Sequence, residues 1–198
     1  MDKELFGYLS LIFALAYYAP YMYSTWKGKT RPHVFTWVIW TLVMTIGTAG
    51  QYAGGAGPGA WSTTFTAVSC FIILLLAIRQ GDKNITRLDV ACLIIALTSI
   101  PLWLMTGNPF TAIIIVTGID LLGYIPTLRK AYHKPYEEMA MSYLITNFKH
   151  LAGFFAMTTY SWTTMLYPSA LFTMNWVLIG LVYWWRYKQA IVTAPPGR

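Results

Sequence analysis

The chain has 198 residues, of which 57% are hydrophobic and only 11% charged. A soluble domain carries about 25% charged residues and a disordered chain far less apolar surface, so both classes are excluded. The formal charge is +7, but the basic residues are placed in a way that argues against nucleic acid. An integral membrane protein built mainly of spanning helices is the class that fits.

A spanning helix needs roughly 20 apolar residues. Residues 5–26, 32–78, 90–119 and 150–185 contain no Asp, Glu, Lys or Arg. The second stretch is interrupted by Gly54-Gly55-Ala56-Gly57-Pro58-Gly59, the third by Thr106-Gly107-Asn108-Pro109 and the fourth near Ser161–Pro168. Such Gly/Pro clusters mark turns. The pattern predicts seven helices, at about 5–25, 33–53, 62–79, 88–105, 109–131, 138–158 and 165–187. The first apolar run is too long, and lacks the basic flank, for a cleavable signal peptide. Cys70 and Cys92 lie in apolar runs and are expected to pack rather than to pair.

Lys27, Lys29 and Arg31 follow predicted helix 1. Arg79, Lys83 and Arg87 follow helix 3, Arg129, Lys130 and Lys134 follow helix 5, and Arg186, Lys188 and Arg198 follow helix 7. These are 12 of the 14 basic residues, all on one side of the predicted bilayer. The positive-inside rule then puts the N-terminus outside and the C-terminus in the cytoplasm, in a plasma or bacterial inner membrane. The basic excess is thus a topology signal with anionic headgroups as neighbours. The Asn84-Ile85-Thr86 string falls on the cytoplasmic side, where no glycosylation is expected.

Shifting the chain by 106 residues aligns Tyr18-Ala19-Pro20-Tyr21 with Tyr124-Ile125-Pro126-Thr127, Thr36-Trp37 with Ser142-Tyr143, and Trp61 with Tyr167. The register holds through helix 1, a basic loop, helix 2 and the start of helix 3. This predicts a first triple (residues 1–80), a linker helix 4 (81–106) and a second triple with a short cytoplasmic tail (107–198). One extra span returns the chain to its starting side, so the triples are parallel, as in some transporters.

Two proline-containing helices followed by basic loops, seven helices and an outside N-terminus together resemble the SWEET and PQ-loop superfamily of transporters. Tyr18-Ala19-Pro20-Tyr21-Met22-Tyr23 and Gly123-Tyr124-Ile125-Pro126-Thr127-Leu128 are similar to the family's Pro-Gln motif. Tyr21 and Thr127 stand where the glutamine would be. The resemblance implies two parallel three-helix bundles and alternating access. It also implies that an asparagine on each triple's third helix lines the solute pocket. Asn175 fits that place, while the first triple offers Ser69 with Cys70 beside it.

Pro20 and Pro126 each remove a backbone hydrogen bond from the cytoplasmic half of a helix and are expected to act as hinges. Pro101 has no counterpart and reads as a static kink.

Asp120 in predicted helix 5, with Lys149 and His150 in helix 6, lie deep in the predicted bilayer. A charge there costs roughly 2.5–3.5 kcal/mol on insertion scales, so such groups face protein or water and usually pair. Asp120 and Lys149 form the expected pair. Three roles are open: a proton-coupling carboxylate, a site for a charged or zwitterionic solute, or a salt bridge between the helices. Asn175, Asp120 and Lys149 are the candidate solute-binding residues, with His150 and Gln51 behind them. The first repeat places Ala14 and Val43 at the positions aligned with Asp120 and Lys149.

Trp61, Tyr160, Trp162 and Tyr167 are expected in the outer aromatic belt, and Trp26, Trp184 and Trp185 in the inner one. Trp37, Trp40, Tyr143 and Trp176 lie deeper, as packing or solute-stacking residues.

The sequence therefore predicts a small secondary transporter for a sugar, amino acid or vitamin-like solute, with no catalytic residues, cofactor or metal. Its expected partners are that solute and the lipid bilayer; nucleic acid is not expected, and a homo-oligomer stays open. A non-transporting sensor or partner subunit is the alternative. A retinal protein would need a lysine midway along helix 7, where none occurs before Lys188. A metal-dependent lipid enzyme would need more than one buried carboxylate and three histidines in all.

Overall fold

The structure is a computed structural model that describes the backbone of residues 2–81, 85, 87–133, 135–138 and 140–193. The side chains at 88, 89, 92, 125, 126, 129, 130, 137, 192 and 193 lie outside that description. Lys83, Lys134, Arg198 and the Asn84-Ile85-Thr86 string as a unit are therefore also outside it.

Among the described residues the fold is all-helical. The helices are α1 (Lys3–Trp26), α2 (Val34–Ala53), α3 (Trp61–Gln80), α4 (Arg87–Thr106), α5 (Pro109–Leu122), α6 (Tyr124–His133), α7 (Ala140–Ala156) and α8 (Trp162–Thr193). Short 3-10 turns at Gly57–Ala60 and Pro135–Glu137 complete it. Among the described residues four segments are long and apolar enough to cross a membrane: Lys3–Trp26, Val34–Ala53, Gly57–Gln80 and Trp162–Ile191. Their outer faces expose Leu5, Ile12, Phe71, Leu75 and Trp176, among others. An apolar perimeter of that kind suits lipid and would aggregate a water-soluble protein.

Local chemistry sets the helix ends. Asp2 caps α1, its carboxylate accepting from the Glu4 and Leu5 amides at 3.0 and 3.3 Å. His33 caps α2 through the Thr36 amide, and Asn108 caps α5 through the Phe110 amide with Pro109 at the first helical position. Each cap satisfies amides that have no partner inside the helix.

The predicted helix at 109–131 is two helices. The chain turns at Gly123, whose amide closes α5 onto the carbonyls of Asp120 and Ile119 at 3.0 and 3.2 Å. Pro126 explains the position. It has no N–H for the carbonyl of Leu122, four residues back, and proline is disfavoured in a helix interior for that reason. The break therefore falls beside that carbonyl, and Pro126 sits in the first turn of α6, where proline is tolerated. Pro20 has no such effect: α1 continues through it to Trp26. The two prolines thus differ in setting: one lies beside a helix break and the other inside a continuous helix. Pro168 likewise lies inside α8, which starts at Trp162 and not near 165.

Helix α3 packs on both α1 and α2, and α8 packs on both α5 and α7. In addition α1 packs on α7, α2 on α5, and α4 on α2 and α5. Trp37, Val43, Ile73, Ile113, Val116 and Leu171 anchor the main core, while Ala131, Ala140, Leu178 and Val182 form a smaller one beside α6.

One end of the assembly is tied shut. The Thr158 amide donates to the Ala56 carbonyl at 3.0 Å, and Lys3 Nζ donates to the carbonyl of Met157. Gly57 adopts φ +57° against Thr158, a conformation that favours glycine. A Cβ on Gly59 would stand 2.9 Å from Met157 Cα and 3.1 Å from the Gly153 carbonyl oxygen. Glycine is what lets the 54–60 turn lie flat on α7.

Candidate functional site

A cavity of about 210 Å³ lies among the helices, walled by residues of α1, α2, α3, α5, α6, α7 and α8. Tyr17 and Tyr18 come from α1, Trp37, Trp40 and Met44 from α2, and Thr66 and Cys70 from α3. Asp120, Lys149, His150 and Asn175, all singled out by the sequence, face it together. Gln51 does not. It is fully buried near the far end of α2, and neither side-chain amide atom has a hydrogen-bond partner. Pro20 is not in the wall either.

The Asp120 carboxylate is held by Tyr167, whose hydroxyl donates to Oδ2 at 2.5 Å. A short bond to an ionised acceptor is among the stronger hydrogen bonds in proteins. The same hydroxyl lies 3.4 Å from Met44 Sδ. With a single proton to give, it serves the carboxylate. Tyr167 is therefore an interior residue, 2% exposed, and not the belt residue expected. The reason is the true start of α8: from Trp162 to Tyr167 the helix rises about 7.5 Å, which carries the ring into the protein.

Asn175 forms a polar relay. Its Oδ1 accepts from the Tyr124 hydroxyl at 2.7 Å, and its Nδ2 donates to Asn147 Oδ1 at 3.0 Å. Asn147 is buried on α7, and its own Nδ2 has no partner. Asn175 lines the cavity as expected and is at the same time held by two neighbours, of which Tyr124 also lines the wall.

Lys149 and His150 are 8% and 6% exposed. The expected direct ion pair between Asp120 and Lys149 is absent among the described residues. Both groups instead face the cavity. His150 Nε2 has no partner. The site so brings together an acidic side chain, a basic one and an unpartnered histidine nitrogen in a wall rich in tyrosine and tryptophan.

Of the deep aromatics, Trp37, Trp40 and Tyr143 line the cavity, whereas Trp176 is 47% exposed on α8 and faces away. Tyr143 also donates to Glu138 Oε2 at 3.1 Å. In the first half it is Cys70, and not the aligned Ser69, that reaches the wall.

Sequence reasoning missed Tyr18, Tyr167 and Asn147 as site residues. The 106-residue register held the signal for the first. Tyr17 and Gly123, Tyr18 and Tyr124, Trp37 and Tyr143, Trp40 and Thr146, and Met44 and His150 each stand 106 apart, and both members of all five pairs line the cavity.

No family model, curated protein or solved structure matches this chain.

Proposed function

We propose that this protein is a small secondary transporter that carries a polar solute across a membrane by alternating access. In this reading α1–α3 and α5–α8 are two parallel triple-helix bundles, with α5 and α6 together forming one broken span and α4 linking the bundles. The organisation is that of the SWEET and PQ-loop superfamily, which the proline strings resemble. The observation that carries the proposal is the convergence of five pairs of 106-spaced residues on one cavity. A solute held between two repeats is reached from either side as the repeats rock.

The packing supports the same reading. In each half the third long helix touches the other two, and the contacts of α1 with α7 and α2 with α5 are the reciprocal pair that a pseudo-twofold axis generates. With the N-terminus outside, the end tied by Thr158 and Ala56 is the extracellular one, so the conformation is closed to the outside. The site residues are Asp120, Lys149, His150, Asn175 and the tyrosines around them. Pro126, beside the helix break, is the hinge.

Reconstitution into proteoliposomes tests the proposal. Radiolabelled sugars, amino acids and vitamins are offered, and saturable uptake of at least one is expected. Binding with no flux of any solute would favour a sensor or partner subunit. If Asp120 carries the coupling proton, Asp120→Asn removes the pH dependence of uptake, and an unchanged pH profile rejects that role.

A further inference from the structure

The cavity presents two opposite charges that do not neutralise each other by contact. Asp120 offers Oδ1, since Oδ2 is taken by Tyr167. Lys149 is buried, faces the same space and makes no ion pair with Asp120 among the described residues. A buried charge left without a close partner is costly, and removing one partner of such a set is far more damaging than never having built it. His150 Nε2, in the same wall, is also buried without a partner.

We propose that the solute is a small zwitterion whose cationic group sits on Asp120 and whose anionic group sits on Lys149. This deepens the transport reading and rests on it. The cavity of about 210 Å³ has room for a small solute. The aromatic wall of Tyr17, Tyr18, Trp37, Trp40 and Tyr124 favours a cation over its ring faces and gives an apolar side chain a surface to pack on. An uncharged sugar would leave both charges unanswered while shedding its own hydration.

The test is binding to the purified full chain in lipid nanodiscs, read by calorimetry and thermal shift. The probes are neutral L-amino acids, their amides (cation only), the matching α-hydroxy acids (anion only) and glucose. Zwitterions are expected to bind, and each single-charge analogue to bind about 10- to 100-fold more weakly. Asp120→Asn is expected to erase the preference for zwitterion over α-hydroxy acid, and Lys149→Met the preference for zwitterion over amide. Two opposite changes of preference cannot come from a general folding defect. Should either variant fail to fold, the wild-type ranking decides alone. Equal binding of zwitterions and single-charge analogues, binding of glucose in their place, or no binding by any probe overturns the proposal. Zwitterion binding without flux in proteoliposomes would instead overturn transport and leave the ligand assignment standing.

Discussion

Tyr167 of α8 reaches across to α5 and donates its hydroxyl proton to Asp120 at 2.5 Å. The bond joins the helix that holds an acidic group of the cavity wall to the helix that supplies Asn175. It fixes one carboxylate oxygen and leaves the other to the cavity.

Removing that bond leaves a buried carboxylate short of a donor. A hydrogen bond to a charged group contributes about 1.5–3 kcal/mol, so Tyr167→Phe should destabilise the protein by about that much. Asp120→Asn should cost less in the Tyr167→Phe background than in the wild type, because the two groups act as a unit. A double-mutant cycle on unfolding in detergent micelles checks this, with a coupling energy of about 1–3 kcal/mol expected. Additive effects would show the bond to be energetically silent.

The break at Gly123 makes the two prolines unequal. Pro126→Ala supplies an N–H at position 126 that can donate to the Leu122 carbonyl and favours one continuous helix over 109–133. Uptake is expected to slow about tenfold or more with solute affinity little changed, the pattern of a conformational step. Pro20→Ala, inside the unbroken α1, should have a smaller effect on rate. Comparing initial uptake rates with dissociation constants for both variants separates hinge from static kink. Normal uptake by Pro126→Ala would remove the hinge.

The tied end depends on two glycines. At Gly57, φ +57° costs an L-residue about 1–2 kcal/mol, before any clash with Thr158 is counted. At Gly59 an added methyl group meets α7 backbone, and overpacking of that kind costs about 1–3 kcal/mol. Gly57→Ala and Gly59→Ala should lower the melting temperature. They should also open the 54–60 turn, as proteolysis or cysteine labelling from that side would report. Wild-type stability and protection in both variants would mean that the contact between the turn and α7 is dispensable.

Composition and charge spacing were enough to read the class of this protein. Long runs without Asp, Glu, Lys or Arg leave few alternatives to membrane helices, and Gly/Pro clusters mark where those runs turn. The proximity of Asp120, Lys149, His150 and Asn175 was also legible, because a charge or amide in an apolar helix must turn inward. Helix number was less so: the predicted span at 109–131 carries its proline four residues beyond the carbonyl where the chain breaks, and periodicity cannot tell a kink from a break. Tyr167 could not be placed by sequence because tyrosine suits both an interface and an interior. A shift of a few residues in the start of α8 decides which.

What the sequence by itself determined is therefore the apolar character of the helices, their approximate ends and the identity of the buried polar groups. Those follow from solvation and backbone sterics, which act locally. Only the tertiary structure decided that Asp120 is bonded to Tyr167 and not to Lys149, that Gln51 lies away from the cavity, and that Asn175 is shared between Tyr124 and Asn147. Partner choice depends on the azimuth and depth of each side chain once helices pack. A rotation of one residue, 100° about the axis, changes it without altering the composition or hydropathy of any segment.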